Sequence, residues 1–202
     1  MDYCQSVATE GIGGRTIGVE WSMENRTAGI AGEILLIGVG NEMRNDDGLG
    51  LYIARELRRR SLKGITITEH HGEGTALMEA WKGCAAVLLV DAMLTGGAPG
   101  MAHRIDASHV PVPAALFLYS SHAFGVAGAI ELARELQQLP PAVILYGIEG
   151  ELFEAGIGLS PCVVRSVPEL ISMIEHDLHI LRPDLHPTHD VDSILSVGDS
   201  TS

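Results

Sequence analysis

Three polar residues that lie far apart in the chain have side chains that could hold a metal ion together: Asp47, Asp91 and His122. Each is predicted to follow a strand, so all three are expected at one edge of a single sheet. Two carboxylates and one imidazole form a ligand set that suits a first-row divalent cation and leaves coordination positions open. Taken singly, each also has a simpler interpretation: an acid at a helix start, a strand end bonded to a loop, and a surface histidine.

The turn that carries Asp47 begins like the turn of a dinucleotide-binding domain. Gly38 and Gly40 fit the first two glycines of that motif, but Met43 stands where the third glycine is required. Adjacent carboxylates at Asp46 and Asp47 would also repel a pyrophosphate. The dinucleotide interpretation is therefore the weakest one, and Asp46 is open to two roles: cap of the next helix, or general base.

Apolar periodicity divides the chain into alternating strands and helices. The predicted strands are residues 34–39, 65–69, 85–91, 101–106 and 142–149, and the predicted helices are residues 46–60, 74–83, 126–139 and 166–181. This alternation predicts an α/β fold of three layers, α/β/α, built on a twisted, mostly parallel five-stranded sheet. Functional residues of such sheets gather beyond the carboxyl ends of the strands, which is where the three candidate ligands are expected.

Length and charge bound the class of protein. The chain has 202 residues, of which 46% are hydrophobic, enough for one domain with a sizeable core. A single domain is predicted over residues 31–182, between a flexible extension at 1–30 and a polar tail at 183–202 that is expected to be disordered. The net charge of -13 argues against nucleic acid as a partner, because general binding to nucleic acid needs a basic surface.

Cysteine content and hydropathy indicate the compartment. There are three cysteines, an odd number without a CxxC pair, which argues against a disulfide framework and favours the reducing cytoplasm. No apolar run is long enough to span a membrane, and residues 1–30 lack the basic and apolar regions of a secretory signal. A cytoplasmic protein that does not insert into a membrane is therefore expected.

Four stretches of the sequence resemble the hydrogenase maturation proteases. They are LLIGVGNEMRNDDGLG at 35–50, VLLVDAM at 87–93, SSHAFGVAGAIELA at 120–133 and ILYGIEGELFEAGIGLSPCV at 144–163. The resemblance extends over residues 33–181. It implies a twisted five-stranded sheet between layers of helices, and an endopeptidase that trims the C-terminus of the large subunit of nickel–iron hydrogenases.

The resemblance also implies roles for individual residues. Asp47 and Asp91 match the two acids of the family's metal site, and His122 matches its histidine. It further implies that the nickel belongs to the substrate, a large-subunit precursor that receives its metal before the protease recognises it through these side chains. The protease then cuts after the last metal-binding motif of the precursor. No organic cofactor is expected.

The chemistry of the cut stays open at this level. A metal could polarise the scissile carbonyl or activate a water whose proton goes to Asp46 or Asp47, or the metal could serve recognition alone. Two other functions fit the same residues. One is a nickel-binding assembly factor that does not cut, and the other is a metal-dependent hydrolase with its own metal.

The sequence departs from the family pattern in one place after the second strand. Members often carry Asp-Gly-Gly-Thr there, whereas this chain has HHGEGT at 70–75. His71 and Glu73 are either ordinary loop residues or determinants of substrate choice.

Overall fold

The computed structural model describes residues 30–113 and 125–183, which form one sheet with helices on both of its faces. The strands are β1 (Ile34–Val39), β2 (Ile65–His70), β3 (Ala86–Met93), β4 (Ala102–Asp106) and β5 (Ala142–Glu149). The helices are α1 (Leu49–Arg59), α2 (Gly74–Ala80), α3 (Val126–Glu135) and α4 (Pro161–Leu181), and a short 3-10 helix, Asn45–Gly48, directly precedes α1. The extensions predicted at 1–30 and 183–202 lie, except for Ile30 and Pro183, outside the described residues.

The five strands lie in the order β2–β1–β3–β5–β4, with β4 antiparallel to β5 and the other neighbouring pairs parallel. The central strands β1, β3 and β5 are buried along their whole length, whereas the edge strands are partly exposed. Continuous apolar runs are typical of strands that are covered on both faces. The predicted mostly parallel, five-stranded sheet is confirmed.

Each face of the sheet is covered by two helices. On one face, α1 and α4 pack on the strands through side chains such as Ile53 and Leu170. On the other face, α2 and α3 do so through side chains such as Leu77 and Ile130. The predicted three-layer α/β/α architecture is therefore confirmed. Among these helices of the described residues, none has the length and apolar character that crossing a membrane requires.

Two element boundaries near the sheet edge differ from those predicted. β3 continues past Asp91 to Met93, because β5 is equally long and pairs with it up to Glu149. Asp91 therefore lies within the strand, opposite Gly147, and not at its end. α4 begins at Pro161 instead of at residue 166, in keeping with the preference for proline in the first turn of a helix.

Three helices are shorter than their apolar periodicity predicts, and one of them is α2, which ends at Ala80 instead of at residue 83. The predicted helix at 46–60 is divided into the 3-10 helix and α1, whose N-cap residues are Arg44 and Gly48. Asp46 is therefore the cap of neither helix. α3 ends at Glu135 instead of at residue 139, because Gln137 adopts a positive φ of 56° that a helix cannot continue through.

β4 is antiparallel to β5, and this decides which edge of the sheet the chain reaches when it leaves β4. Its last residue, Asp106, pairs with Ile144 near the start of β5, at the edge opposite to the carboxyl ends of the parallel strands. The expectation that the chain leaves this strand at the site's edge is therefore wrong. Arg134, near the end of α3, donates to the Ala107 carbonyl (2.5 Å), so α3 ends at this opposite edge. α3 consequently begins, at Val126, toward the edge that carries the candidate site.

The two ends of the described domain meet at the edge of the sheet where β1 begins. The Ile30 amide donates to the Leu181 carbonyl at the end of α4 (2.8 Å), and the Ile30 side chain packs against the core. α4 starts just after the carboxyl end of β5 and runs back to this edge, so both chain ends lie away from the carboxyl ends of the parallel strands.

Candidate active site

Two glycines hold the turn between β1 and α1 tightly against the sheet. At Gly40, where φ is +141°, a Cβ would lie 1.8 Å from the Asp47 carbonyl oxygen. At Gly50, a Cβ would lie 2.2 Å from the Val90 carbonyl oxygen, so only glycine fits at either place. Val90 directly precedes Asp91, and the same close contact therefore brings the start of α1 to the part of β3 that carries Asp91.

Asp47 and Asp91 are both buried and repel each other electrostatically. Burial raises the pKa of Asp91 well above its ordinary value, and the charge of Asp47 raises it further. A hydrogen bond from the Ala92 amide to Asp91 Oδ1 (2.8 Å) opposes these effects only in part. The structure thus brings together two of the three predicted ligands, in a state that a nearby cation would stabilise.

The third predicted ligand, His122, lies outside the described residues. It precedes α3 closely in the sequence, and α3 begins toward the edge where Asp47 and Asp91 lie. Within residues 30–113 and 125–183, no three His, Cys, Asp or Glu side chains are placed to hold a metal ion. The three-residue ligand set therefore remains a prediction.

The neighbouring acid, Asp46, is fully buried and anchors the loop between β5 and α4. Its Oδ2 accepts hydrogen bonds from the amides of Glu151 (2.8 Å) and Leu152 (2.9 Å) and from the Ser160 hydroxyl, and its Oδ1 accepts one from the Ser160 amide (2.6 Å). Burial acts to raise the pKa of Asp46, but the hydrogen bonds from these three residues together outweigh it and lower the pKa. Asp46 is thus a charged anchor for residues 150–160.

A further buried acid, Glu149 at the end of β5, is absent from the predicted site residues. Its carboxylate accepts hydrogen bonds from the amides of residues 95–97 and from the Thr95 hydroxyl (2.9 Å), and so closes the loop that follows β3. His103 Nε2 lies 3.6 Å from it, and burial lowers the pKa of His103 although Glu149 opposes the shift. An acid that ends a fully apolar strand is the signal that could have identified it, as it identified Asp91.

The departure after β2 is explained in part by helix capping. Glu73 is the N-cap residue of α2, and its carboxylate accepts hydrogen bonds from the amides of Thr75 (3.1 Å) and Ala76 (2.8 Å). An N-cap side chain ordinarily accepts hydrogen bonds from the first amides of its helix in this way. His71 is exposed and, together with Met43, lines a cavity of about 270 Å³ beside the β1–α1 turn.

Comparison with known proteins gives the family. The family model for hydrogenase maturation proteases matches residues 51–177, more than half of the chain. Among curated relatives, the hydrogenase 2 maturation protease of Escherichia coli is 29% identical over 147 residues, which are 70% of this chain and 87% of that protein. The hydrogenase expression/formation protein HupD of Thiocapsa roseopersicina is 26% identical over 144 residues, 70% of this chain but only 65% of HupD.

Solved structures agree in fold. The hydrogenase maturating endopeptidase HybD from Escherichia coli has a TM-score of 0.62 and 24% identity, covering 73% of this chain and 92% of HybD. The solution structure of an endopeptidase from Escherichia coli also has a TM-score of 0.62, at 25% identity. The match covers 75% of this chain and 93% of the endopeptidase. With the family model matched from residue 51 to residue 177, the chain belongs to the hydrogenase maturation protease family.

Proposed function

We propose that this chain is the endopeptidase that removes the C-terminal extension from a nickel–iron hydrogenase large-subunit precursor after nickel insertion. The observation that carries the proposal is the pair of buried, mutually repelling carboxylates, Asp47 and Asp91, in a chain of this family. The Escherichia coli relative is itself named a hydrogenase 2 maturation protease. We assign the reaction to the cytoplasm, where Cys84 and Cys162, the free cysteines of the described residues, would stay reduced.

Nickel is part of the substrate in this proposal, and Asp47, Asp91 and His122 recognise it. Repulsion between the two carboxylates raises the free energy of the site without metal, and a divalent cation removes that repulsion. Two carboxylates and one imidazole leave coordination positions for the ligands that the precursor supplies. A precursor without nickel would leave the repulsion in place and would therefore bind more weakly.

The cut is the hydrolysis of one peptide bond by water. Nickel beside the scissile carbonyl would polarise it or lower the pKa of the attacking water. Asp46 is unsuited to accept the proton of that water, because its carboxylate is occupied by four hydrogen bonds and its pKa is lowered. Asp47, the other acid considered for this role, is then the candidate for the general base.

The test is incubation of the protein with purified precursor in nickel-loaded and nickel-free forms, with the C-terminus identified by mass spectrometry. Shortening of the nickel-loaded form alone is expected. Asp91→Asn should prevent it, whereas Glu135→Gln, a change of an exposed acid at the end of α3, should not. Cleavage of both forms would favour a hydrolase with its own metal. Binding of the nickel-loaded form without cleavage would favour an assembly factor.

A further inference from the structure

Three large apolar side chains are exposed around the turn that carries Asp47. They are Met43 (61% exposed), Leu152 (46%) and Ile157 (82%), named here the apolar rim. Single exposed apolar residues are common and need no explanation. These three, however, lie on two segments that are bonded to each other, since the Gly156 amide donates to the Met43 carbonyl (2.9 Å) and the Asp46 amide to the Leu152 carbonyl (3.0 Å).

The loop that carries Leu152 and Ile157 is fixed in place by side chains of the β1–α1 turn. Arg44 donates to the Phe153 carbonyl (2.9 Å), and Asn45 donates to the Glu154 carbonyl (3.1 Å). The Asp46 carboxylate adds the four hydrogen bonds described above. A surface fixed in advance loses little conformational entropy when a partner binds to it, so its exposed apolar area is available for binding.

Unpaired acids flank this surface. Glu151 and Glu154 are exposed, and neither forms an ion pair with any of the residues that the structure describes, although Glu151 Oε2 accepts a hydrogen bond from Cys162 Sγ (3.3 Å). The chain as a whole carries a net charge of -13. An apolar surface bordered by unpaired acids is complementary to a segment that combines apolar and basic side chains.

We infer that the apolar rim docks a segment of the precursor that is apolar, contains basic side chains and lies beside the precursor's nickel site. This inference rests on the proposed function, because the rim surrounds the turn that carries Asp47. Asp46 connects docking with metal recognition. Its carboxylate holds the loop that carries Leu152 and Ile157, and the next residue in the chain, Asp47, lies near enough to Asp91 to raise its pKa. Docking on the rim would place the nickel of the precursor against Asp47 and Asp91.

The experiment compares the wild type with Ile157→Ser, using nickel-loaded large-subunit precursors from the same organism. The control is Leu136→Ser, which replaces another exposed apolar residue (52%, against 82% for Ile157) that follows α3, at the opposite edge of the sheet. Because Ile157 is exposed, its replacement should leave the melting temperature unchanged. Ile157→Ser should raise KM about tenfold with kcat unchanged, as expected for an apolar contact at the centre of an interface. Leu136→Ser should leave both constants unchanged.

Binding measured separately from cleavage distinguishes this inference from the proposed function. If the wild type cleaves the precursor and Ile157→Ser has the wild-type KM, the docking surface is wrong and the proposed function stands. If the wild type binds without cleaving and Ile157→Ser binds about tenfold more weakly, the surface stands and the proposed function fails. If the wild type neither binds nor cleaves any of these precursors, both are wrong. The affinity of the wild type should also fall with added salt, because the flanking acids contribute by charge.

Discussion

Replacing Asp46 by asparagine should destabilise the protein substantially, although the two side chains have nearly the same size and shape. Asp46 Oδ2 accepts three hydrogen bonds and Oδ1 accepts one, all from the loop between β5 and α4. In Asp46→Asn, the amide oxygen can take the place of Oδ2 and keep three of them. The amide nitrogen must then face the Ser160 N–H, so that two donors point at each other in a buried place.

The decrease in the free energy of unfolding for Asp46→Asn follows from these contacts. Loss of one hydrogen bond to a charged acceptor costs about 1.5–3 kcal/mol, and a buried donor left unsatisfied costs about 1–3 kcal/mol. A decrease of about 3–4 kcal/mol in the free energy of unfolding is expected, against a total of about 5–15 kcal/mol for a small domain. Ser160→Ala removes only the hydroxyl bond to this charged carboxylate and should cost about 1.5–3 kcal/mol.

Urea unfolding followed by circular dichroism measures these differences. Glu135→Gln, which changes an exposed acid to its amide, is the control and should stay within about 0.5 kcal/mol of the wild type. The hydrogen bonds hold the folded pKa of Asp46 below the unfolded value of about 3.9. The stabilisation is therefore present above that value and is lost as pH falls through the folded pKa, so wild type and Asp46→Asn should converge in acid. Equal stability at pH 7 would refute the anchoring role.

Three further predictions concern the site and the chain ends. Asp91→Asn should abolish processing but increase the free energy of unfolding at pH 7, because it removes a carboxyl whose ionisation is opposed by burial and by the charge of Asp47. Because the folded pKa of Asp91 is raised, the wild type loses stability relative to Asp91→Asn as pH rises above the unfolded value of about 3.9. Equal free energies of unfolding for the two proteins at pH 7, measured in urea, would contradict this prediction. His122→Ala should keep the circular dichroism spectrum and lose nickel-dependent binding, and wild-type binding should weaken as pH falls through about 6.5. Full processing of the precursor by the folded His122→Ala variant would show that His122 is not a metal ligand. Deleting residues 1–29 and 184–202 should leave the processing rate unchanged, and a slower rate from a folded truncated protein would assign them a part in docking.

The sheet was predictable because its central strands are continuous apolar runs. Residues 34–39 and 142–149 are bounded by polar or turn residues, and each coincides with a strand. The direction of β4 was not predictable, because AHRID at 102–106 is a short edge strand whose pairing depends on the loop before it. The start of α4 at Pro161 was missed although Val163 and Val167 already lie on its buried face, because Pro168 would be tolerated best in the first turn of a helix and so favours a start near residue 166.

The site was predictable only where a local pattern marks a residue. Asp91 follows a continuous apolar run, and Asp47 belongs to a pair of adjacent acids, which is more than one helix cap requires. The anchoring role of Asp46 has no local signal, because its partners lie more than a hundred residues further along the chain, at Glu151, Leu152 and Ser160. Glu149 is marked by the same pattern as Asp91, but its partners in the β3–β4 loop come from tertiary contacts alone.

The meeting of Ile30 and Leu181 has a practical consequence for handling the protein. Both ends of the described domain leave from the edge of the sheet opposite to Asp47 and the apolar rim. A tether at either end would therefore orient an immobilised molecule with its candidate site toward the solution. Protein shortened to residues 30–183 should capture nickel-loaded precursor equally well whether it is fixed to a sensor surface through its first or its last residue. The same geometry permits a short linker to join the two ends and new ends to be opened elsewhere.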